Sequence, residues 1–155
     1  MNVTMRRVIV IPTLMHWRRE VIENVFGVIP SKALMAANRR YYQQHIADGS
    51  HIAVVAELGD TDVGCGAVCL SEELPSPDNP SGRCAYLMNI YVREEYRAQG
   101  IGHAIVEWLL EKARESGCDK IYLETTAGAR PLYMDMGFKD LPGIMKYADV
   151  QNCES

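Results

Sequence analysis

Asn89-Ile90-Tyr91-Val92-Arg93-Glu94-Glu95-Tyr96-Arg97-Ala98-Gln99-Gly100-Ile101-Gly102-His103-Ala104 leaves an apolar strand, crosses a charged turn and passes two glycines into an amphipathic helical stretch. Glycine at a helix mouth lets the backbone approach a ligand closely, and the unpaired first-turn amides at the positive end of the helix dipole favour an anion such as a diphosphate. Arg97 adds a fixed positive charge beside them. Two other phosphate loops do not fit. A P-loop ends in Gly-Lys-Ser/Thr, whereas His103-Ala104 follow Gly102 and supply neither the lysine nor the hydroxyl that would hold magnesium. A dinucleotide fingerprint sets its glycines directly after the strand with a small residue at position 105, whereas Arg93 to Gln99 intervene here and Ile105 is bulky.

The hexad Arg97-Ala98-Gln99-Gly100-Ile101-Gly102 resembles the Arg/Gln-x-x-Gly-x-Gly/Ala hallmark of the Gcn5-related N-acetyltransferase (GNAT) family. Downstream elements agree in order: a helix to Gly117, a strand Lys120 to Thr125, and Ala129-Arg130-Pro131-Leu132-Tyr133-Met134-Asp135-Met136-Gly137-Phe138, which is similar to the family's Ala-x-x-Leu-Tyr-x-x-x-Gly-Phe segment. The resemblance covers Tyr86 to Lys139; the first half of the chain agrees only in the order of its elements. It implies a single N-acetyltransferase domain over residues 1–155, of the α/β (α+β) class, with a mixed, mostly antiparallel central sheet flanked by helices and a splay between the fourth and fifth strands.

The resemblance also implies acetyl-coenzyme A as co-substrate, with no metal. Ile90, Tyr91 and Val92 would pair with the peptide-like pantetheine arm, while Arg97, Ala98, Gln99, Gly100, Ile101 and Gly102 would take the diphosphate. Tyr133 is implied as general acid. Attack of a neutral amine on the thioester expels a thiolate of pKa about 8.5, to which a phenol of pKa about 10 can donate. On its short helix, Leu132 and Met136 are expected to face the core and Tyr133 the slot. Many members carry Asn seven residues before this tyrosine; here the residue is Thr126, so the contact of that amide is replaced or absent. Glu57, Glu124 and Asn89 lie at strand positions near the expected slot, and the base stays open between Glu57, Glu124 and water.

A small-molecule amine is the leading acceptor. A protein N-terminus or lysine is the rival with the same chemistry, and a non-catalytic acyl-coenzyme A module is the reading from another class. Trp17, Arg39, Tyr41, Tyr42, Glu72 and Glu73 are the candidates for choosing the acceptor. Because family members pair through C-terminal strands, the apolar Ile144-Met145 leads us to expect a homodimer.

Composition agrees with this reading. A chain of 155 residues is one ordinary domain, and 48% apolar with 23% charged residues is globular. A formal charge of -4 argues against a nucleic-acid partner and suits amines. The run Val8-Ile9-Val10-Ile11 after Arg6-Arg7 is too short for a signal peptide, and no segment approaches the ~20 apolar residues of a membrane span, so the expected location is cytoplasmic without a membrane partner. Cys65, Cys69, Cys84, Cys118 and Cys153 show no Cys-x-x-Cys spacing, which predicts reduced thiols, with Cys65 and Cys69 on one side of a strand. His16, His45, His51 and His103 are scattered and form no metal motif.

Periodicity predicts a strand Thr4 to Val10, a helix from Thr13 to Gly27 carrying Leu14, Trp17, Val21 and Val25, and a second helix from Pro30-Ser31 to Ala47. Strands Ile52 to Leu58 and Val63 to Leu70 flank the turn Gly59-Asp60-Thr61-Asp62. The irregular Ser71 to Arg83 loop precedes the strand Cys84 to Val92. The following helix presents Ile101, Ala104, Ile105, Trp108, Leu109 and Lys112 in one stripe. Gly143 to Tyr147 is expected to return as a final strand.

Overall fold

The computed structural model describes residues 2–148, so Cys153 lies outside the described residues. The chain divides into two units, Met1–Glu124 and Thr125–Ser155. The first contains β1 (Val3–Val8), α1 (Ile11–Val21) continuing into a π turn (Ile22–Phe26), α2 (Lys32–Ala47), β2 (His51–Leu58), β3 (Thr61–Glu72), β4 (Arg83–Val92), a short 3-10 turn (Glu94–Tyr96), α3 (Ile101–Glu115) and β5 (Lys120–Leu123). The strands form one sheet in the order β1-β2-β3-β4-β5. The first three pairings are antiparallel and β4-β5 is parallel. No helix among the described residues is long and apolar enough to cross a membrane.

Local chemistry sets the element ends. Ser31 caps α2, its hydroxyl accepting the Leu34 N–H at 3.0 Å, and β2 turns into β3 through Gly59-Asp60, with Gly59 at φ 65. The expected first helix is α-helical only to Val21; its last turn widens to a π turn before Gly27 stops it at φ 72. The Ser71 to Arg83 loop is shorter than expected because Ser71 and Glu72 still pair with Cys84 and Arg83. Its remainder is tied down by the Glu73 N–H to the Gly82 carbonyl at 2.7 Å and the Ser81 N–H to Asp119 at 2.9 Å.

The sheet buries both faces. Leu14, Trp17, Val21 and Tyr42 of α1 and α2 cover Ala53, Val55, Cys65, Ala67 and Tyr91. On the other face α3 rests on β3 at two glycines, as the period of two along a strand requires when Cys65 and Ala67 point the opposite way. A Cβ at Gly66 would stand 2.6 Å from Ile105 Cγ2 and 3.1 Å from Leu109 Cδ1. The buried stripe of α3 is therefore Ile101, Ile105, Val106, Leu109, Leu110 and Ala113. The expected members Ala104, Trp108 and Lys112 are half-buried at its margin, where the Lys112 ammonium lies 4.9 Å from the Trp108 ring centre.

The strand β4 is irregular where it matters. It pairs with β5 from Cys84↔Lys120 to Leu87↔Leu123, after which β5 ends and β4 runs on to Val92 alongside β3 only. Its register with β3 shifts between Cys65 and Ala67, and Asn89 takes a left-handed φ of 58°. The expected splay begins at this bulge.

The second unit holds α4 (Arg130–Asp135). Tyr133, rather than Leu132 or Met136, is its buried residue, because its ring packs edge-on to Phe138 at 5.7 Å. No strand forms at 143–147 among the described residues: Gly143 sits at φ 91, and Ile144 and Met145 are 67% and 93% exposed. Two apolar residues make a strand only where a sheet edge takes up their backbone. The strand on which the expected homodimer rested is not formed.

Two predictions follow from this packing. Gly66→Ala overpacks the α3 seat and is expected to lose about 1–3 kcal/mol in denaturant titration. Gly128→Ala, where a Cβ meets no atom within 4 Å, is expected to stay within about 0.5 kcal/mol; equal effects of the two would refute the tight seat.

The second concerns pH. His51 is 3% exposed, with Tyr41 Oη 2.8 Å from its Nδ1, and Tyr41 Oη is also 3.0 Å from Cys69 Sγ. If the phenol donates to Nδ1 and accepts from the thiol, the imidazole proton sits on Nε2, which is buried and unpartnered. Burial lowers the His51 pKa from 6.5 to about 4, so the unfolded chain binds the extra proton. The stability this supplies is complete above pH 6.5 and is lost as pH falls towards 4. A melting temperature in His51→Gln that falls across this window as steeply as in the parent would exclude His51 as the source.

Candidate active site

The segment after β4 forms the mouth of α3. Arg97, Ala98, Gln99 and Gly100 are exposed, with Ala98 at φ 63 and Gly100 at φ 84. A Cβ at Gly100 would meet no atom within 4 Å, so glycine there serves the left-handed turn. The first bond of α3 runs from the Ala104 N–H to the Gly100 carbonyl at 3.1 Å, and no side chain caps the helix. The amides of Ile101, Gly102 and His103 therefore precede the helical ladder and open at its positive end. Ile101 is 1% exposed, which anchors the first turn and leaves only its backbone available to a ligand.

The other expected residues divide by the direction of their side chains. Tyr91 is buried on the α1 side, edge-on to Trp17 at 6.3 Å, and its pKa is pushed up to about 12 by burial and by its hydrogen bond to Glu20. Its contribution to a ligand is confined to backbone. Ile90 and Val92 are half-buried on the stretch of β4 that β5 leaves uncovered. The Val92 carbonyl already accepts from Arg97 Nε at 2.8 Å, and this bond holds the Arg97 guanidinium over the Tyr91 ring, 5.8 Å from its centre. Arg97 is thus fixed at the rim.

The possible bases are engaged. Glu57 pairs with Arg6 at 3.0 Å on the β1 side of the sheet, and Glu124 accepts from the Tyr86 hydroxyl at 2.9 Å. Asn89 Oδ1 accepts from Arg18 Nη1 at 2.8 Å. Of the residues expected to select the acceptor, Trp17 and Tyr42 are core residues, Tyr41 is taken up by His51 and Cys69, and Glu73 pairs with Lys120 at 3.2 Å. Of that set, Arg39 and Glu72 are exposed and pair with no side chain among the described residues.

Sequence reasoning missed Arg18 and Asn38. Arg18 Nε donates to Asn38 Oδ1 at 3.1 Å, so the guanidinium joins α1, α2 and the β4 bulge. The only linear signal was an arginine beside the buried Trp17. In the second unit, the Tyr133 pKa is raised by burial, and its carbonyl accepts the Phe138 N–H at 3.0 Å. Thr126, which stands where many members carry Asn, uses its hydroxyl to accept the Ala129 N–H at 3.3 Å.

Known proteins resemble this chain in sequence and in fold. N-acetyltransferase 8F1 of Rattus norvegicus is 40% identical over 89 residues, 55% of this chain and 38% of that protein. Thialysine N-epsilon-acetyltransferase of Sus scrofa is 35% identical over 95 residues, 47% of this chain and 56% of that one. The chain thus spans between 38% and 56% of the length of these curated relatives. The crystal structure of a predicted acetyltransferase with acetyl-CoA from Clostridium acetobutylicum shares the fold, with a TM-score of 0.83 and 22% identity across 99% of this chain and 100% of its own. The family profile described as "Acetyltransferase (GNAT) family" matches residues 14–138, and the chain belongs to that family.

Proposed function

We propose that this chain transfers an acetyl group from acetyl-coenzyme A to a primary amine of a small molecule, directly, in a ternary complex. The observation that carries this reading is the uncapped mouth of α3, opening beside the stretch of β4 that β5 leaves uncovered. Acetyl-coenzyme A would supply an acetyl group activated as a thioester. The Ile101, Gly102 and His103 amides would bind its diphosphate with Arg97 at the rim. The backbone of Ile90 to Val92 would pair with the pantetheine amides as another strand would. The Sus scrofa relative's name, which gives the Nε of thialysine as its target, supports a small-molecule acceptor.

In the transfer, the amine nitrogen bonds to the acetyl carbon, the carbon–sulfur bond breaks, the amine gives up one proton and the sulfur gains one. Tyr133 is proposed as the proton donor to sulfur on the strength of the family segment Ala129 to Phe138. A phenol of ordinary pKa about 10 is protonated at neutral pH, the form this role needs, and burial shifts Tyr133 further in that direction.

Saturating acetyl-coenzyme A in EDTA is expected to raise the melting temperature, since ligand at a hundred times its Kd adds about 2.7 kcal/mol. Gly102→Val is the sharper arm. Gly102 lies inside the first turn of α3 without a left-handed φ, so valine there carries no cost of helix propensity relative to glycine, while its branched side chain adds bulk beside the first-turn amides. The shift should vanish with the fold retained, and undiminished affinity in the variant would sink the cradle.

Tyr133→Phe is expected to lower kcat with a verified amine by ~100-fold or more while acetyl-coenzyme A affinity stays near the parent's. A change within about threefold would make Tyr133 a packing residue and solvent the donor.

A further inference from the structure

Among the described residues four lysines and arginines are half-buried: Arg18, Arg93, Lys112 and Lys120. Three have a carboxylate. Arg93 forks onto Glu20 at 2.8 and 3.0 Å, Lys112 meets Glu115 at 3.4 Å and Lys120 meets Glu73 at 3.2 Å. Arg18 has none. Its donors meet only neutral amide oxygens, Asn38 Oδ1 at 3.1 Å from Nε and Asn89 Oδ1 at 2.8 Å from Nη1, and the Phe26 ring lies 5.7 Å from its Cζ. A cation partly withdrawn from water with no counter-charge favours an anion strongly.

The tethers also orient it. Guanidinium is a planar fork of five donors, and the two bonds to Asn38 and Asn89 fix its plane while Nη2 donates to nothing among the described residues. The Nη1–Nη2 edge keeps enough donors for the bidentate grip that a carboxylate accepts.

Position gives this grip a purpose. Asn89 is the bulge residue next to Ile90, where the proposed pantetheine edge begins. An arm bound by its diphosphate at residues 97–102 and running back along Val92 and Ile90, at about 3.3 Å per residue, brings its acyl end towards Asn89. Arg18 touches that residue.

We infer that Arg18 grips a carboxylate of the acceptor, so that the acceptor class is a free amino acid. The inference rests on the acetyl-transfer reading above and specifies its substrate. Asn38 and Asn89 are positioning residues: they hold the fork and touch no reacting atom.

Matched pairs that differ only in the carboxylate test it: L-lysine against cadaverine, L-ornithine against putrescine, and L-phenylalanine against phenethylamine, each with acetyl-coenzyme A and free-thiol release as the readout. At least one amino acid is expected to exceed its decarboxylated partner in kcat/KM on the order of 10 to 100-fold, the value of a charge-assisted grip. Arg18→Gln should collapse that ratio through KM, and Arg18→Lys should restore part of it. Asn38→Asp places an internal carboxylate against the guanidinium. It should collapse the ratio too while keeping the melting temperature, which guards against a misfolded Arg18 variant. Equal use of both members, or a ratio that survives Arg18→Gln, overturns the inference and leaves acetyl transfer standing. So does an Arg18→Gln loss that falls equally on both members, since a brace for the bulge would act that way. Turnover of none of the six amines, with acetyl-coenzyme A still raising the melting temperature, overturns the amino-acid assignment alone; failure of acetyl-coenzyme A to bind overturns the reading beneath it.

Discussion

The left-handed turn at Asn89 is the constraint on which the rest of the first unit depends. A non-glycine residue in that region costs on the order of 1 kcal/mol or more, and the structure offsets it twice: Arg18 donates to the Asn89 side chain at 2.8 Å, and the Cys65 thiol reaches the Asn89 carbonyl at 3.3 Å. The bulge lets β4 stay on β3 to Val92 after β5 has stopped at Leu123. Both ends of that uncovered stretch are clamped from α1. Arg18 holds the bulge, while Glu20 holds Arg93, whose guanidinium also donates to the Asp62 carbonyl at 3.0 Å and covers the Trp17 ring at 4.6 Å. The Arg93 hydrogen bond holds the Glu20 carboxyl below its ordinary range, so this clamp persists above the usual carboxylate pKa and loosens only as pH falls through the lowered one.

The direction of α3 depends on a second close fit. With no side chains at Gly64 and Gly66, Ile105 and Leu109 come down onto β3, and Ile101 closes the first turn beneath the mouth. The amides ahead of Ala104 inherit their direction from this seat, because the backbone of an anchored helix cannot swing independently of its buried stripe. A phosphate site made of backbone is only as well aimed as the packing behind it.

Much of this was legible in one dimension. The β2-β3 turn at Gly59-Asp60 and the helix ends at Gly27 and Gly117 declare themselves through turn chemistry, and the Arg97 to Gly102 hexad locates the helix mouth without a structure. What was not legible depends on neighbours. The bulge is a relation between Asn89 and the register of β3, which no single strand reports. The π turn at Ile22–Phe26 keeps an apolar pattern that reads as ordinary helix. Ile144-Met145 reads as a strand because apolar content is visible in sequence and a partner edge is not. Tyr133 was expected on the open side of a helix that has only six residues, too few for periodicity to decide which side packs on Phe138. The isolation of Arg18 emerges only when every other half-buried cation is seen with its carboxylate.

The same geometry bears on how the amine loses its proton. Glu57 lies on β2, two strands from β4 in the sheet order, and is held by Arg6; Glu124 is held by Tyr86, whose own pKa is pushed up to about 12 by burial and by that carboxylate. Neither is a free carboxylate aimed at the bulge. An alkyl amine of pKa near 10.4 is neutral only about once in a few thousand molecules at pH 7, a handicap of about 5 kcal/mol. Holding amine and thioester in contact is worth ~7–11 kcal/mol, which exceeds it. Proximity along the β4 edge, with water carrying the proton away, therefore outweighs the protonation handicap of the proposed transfer without a dedicated base.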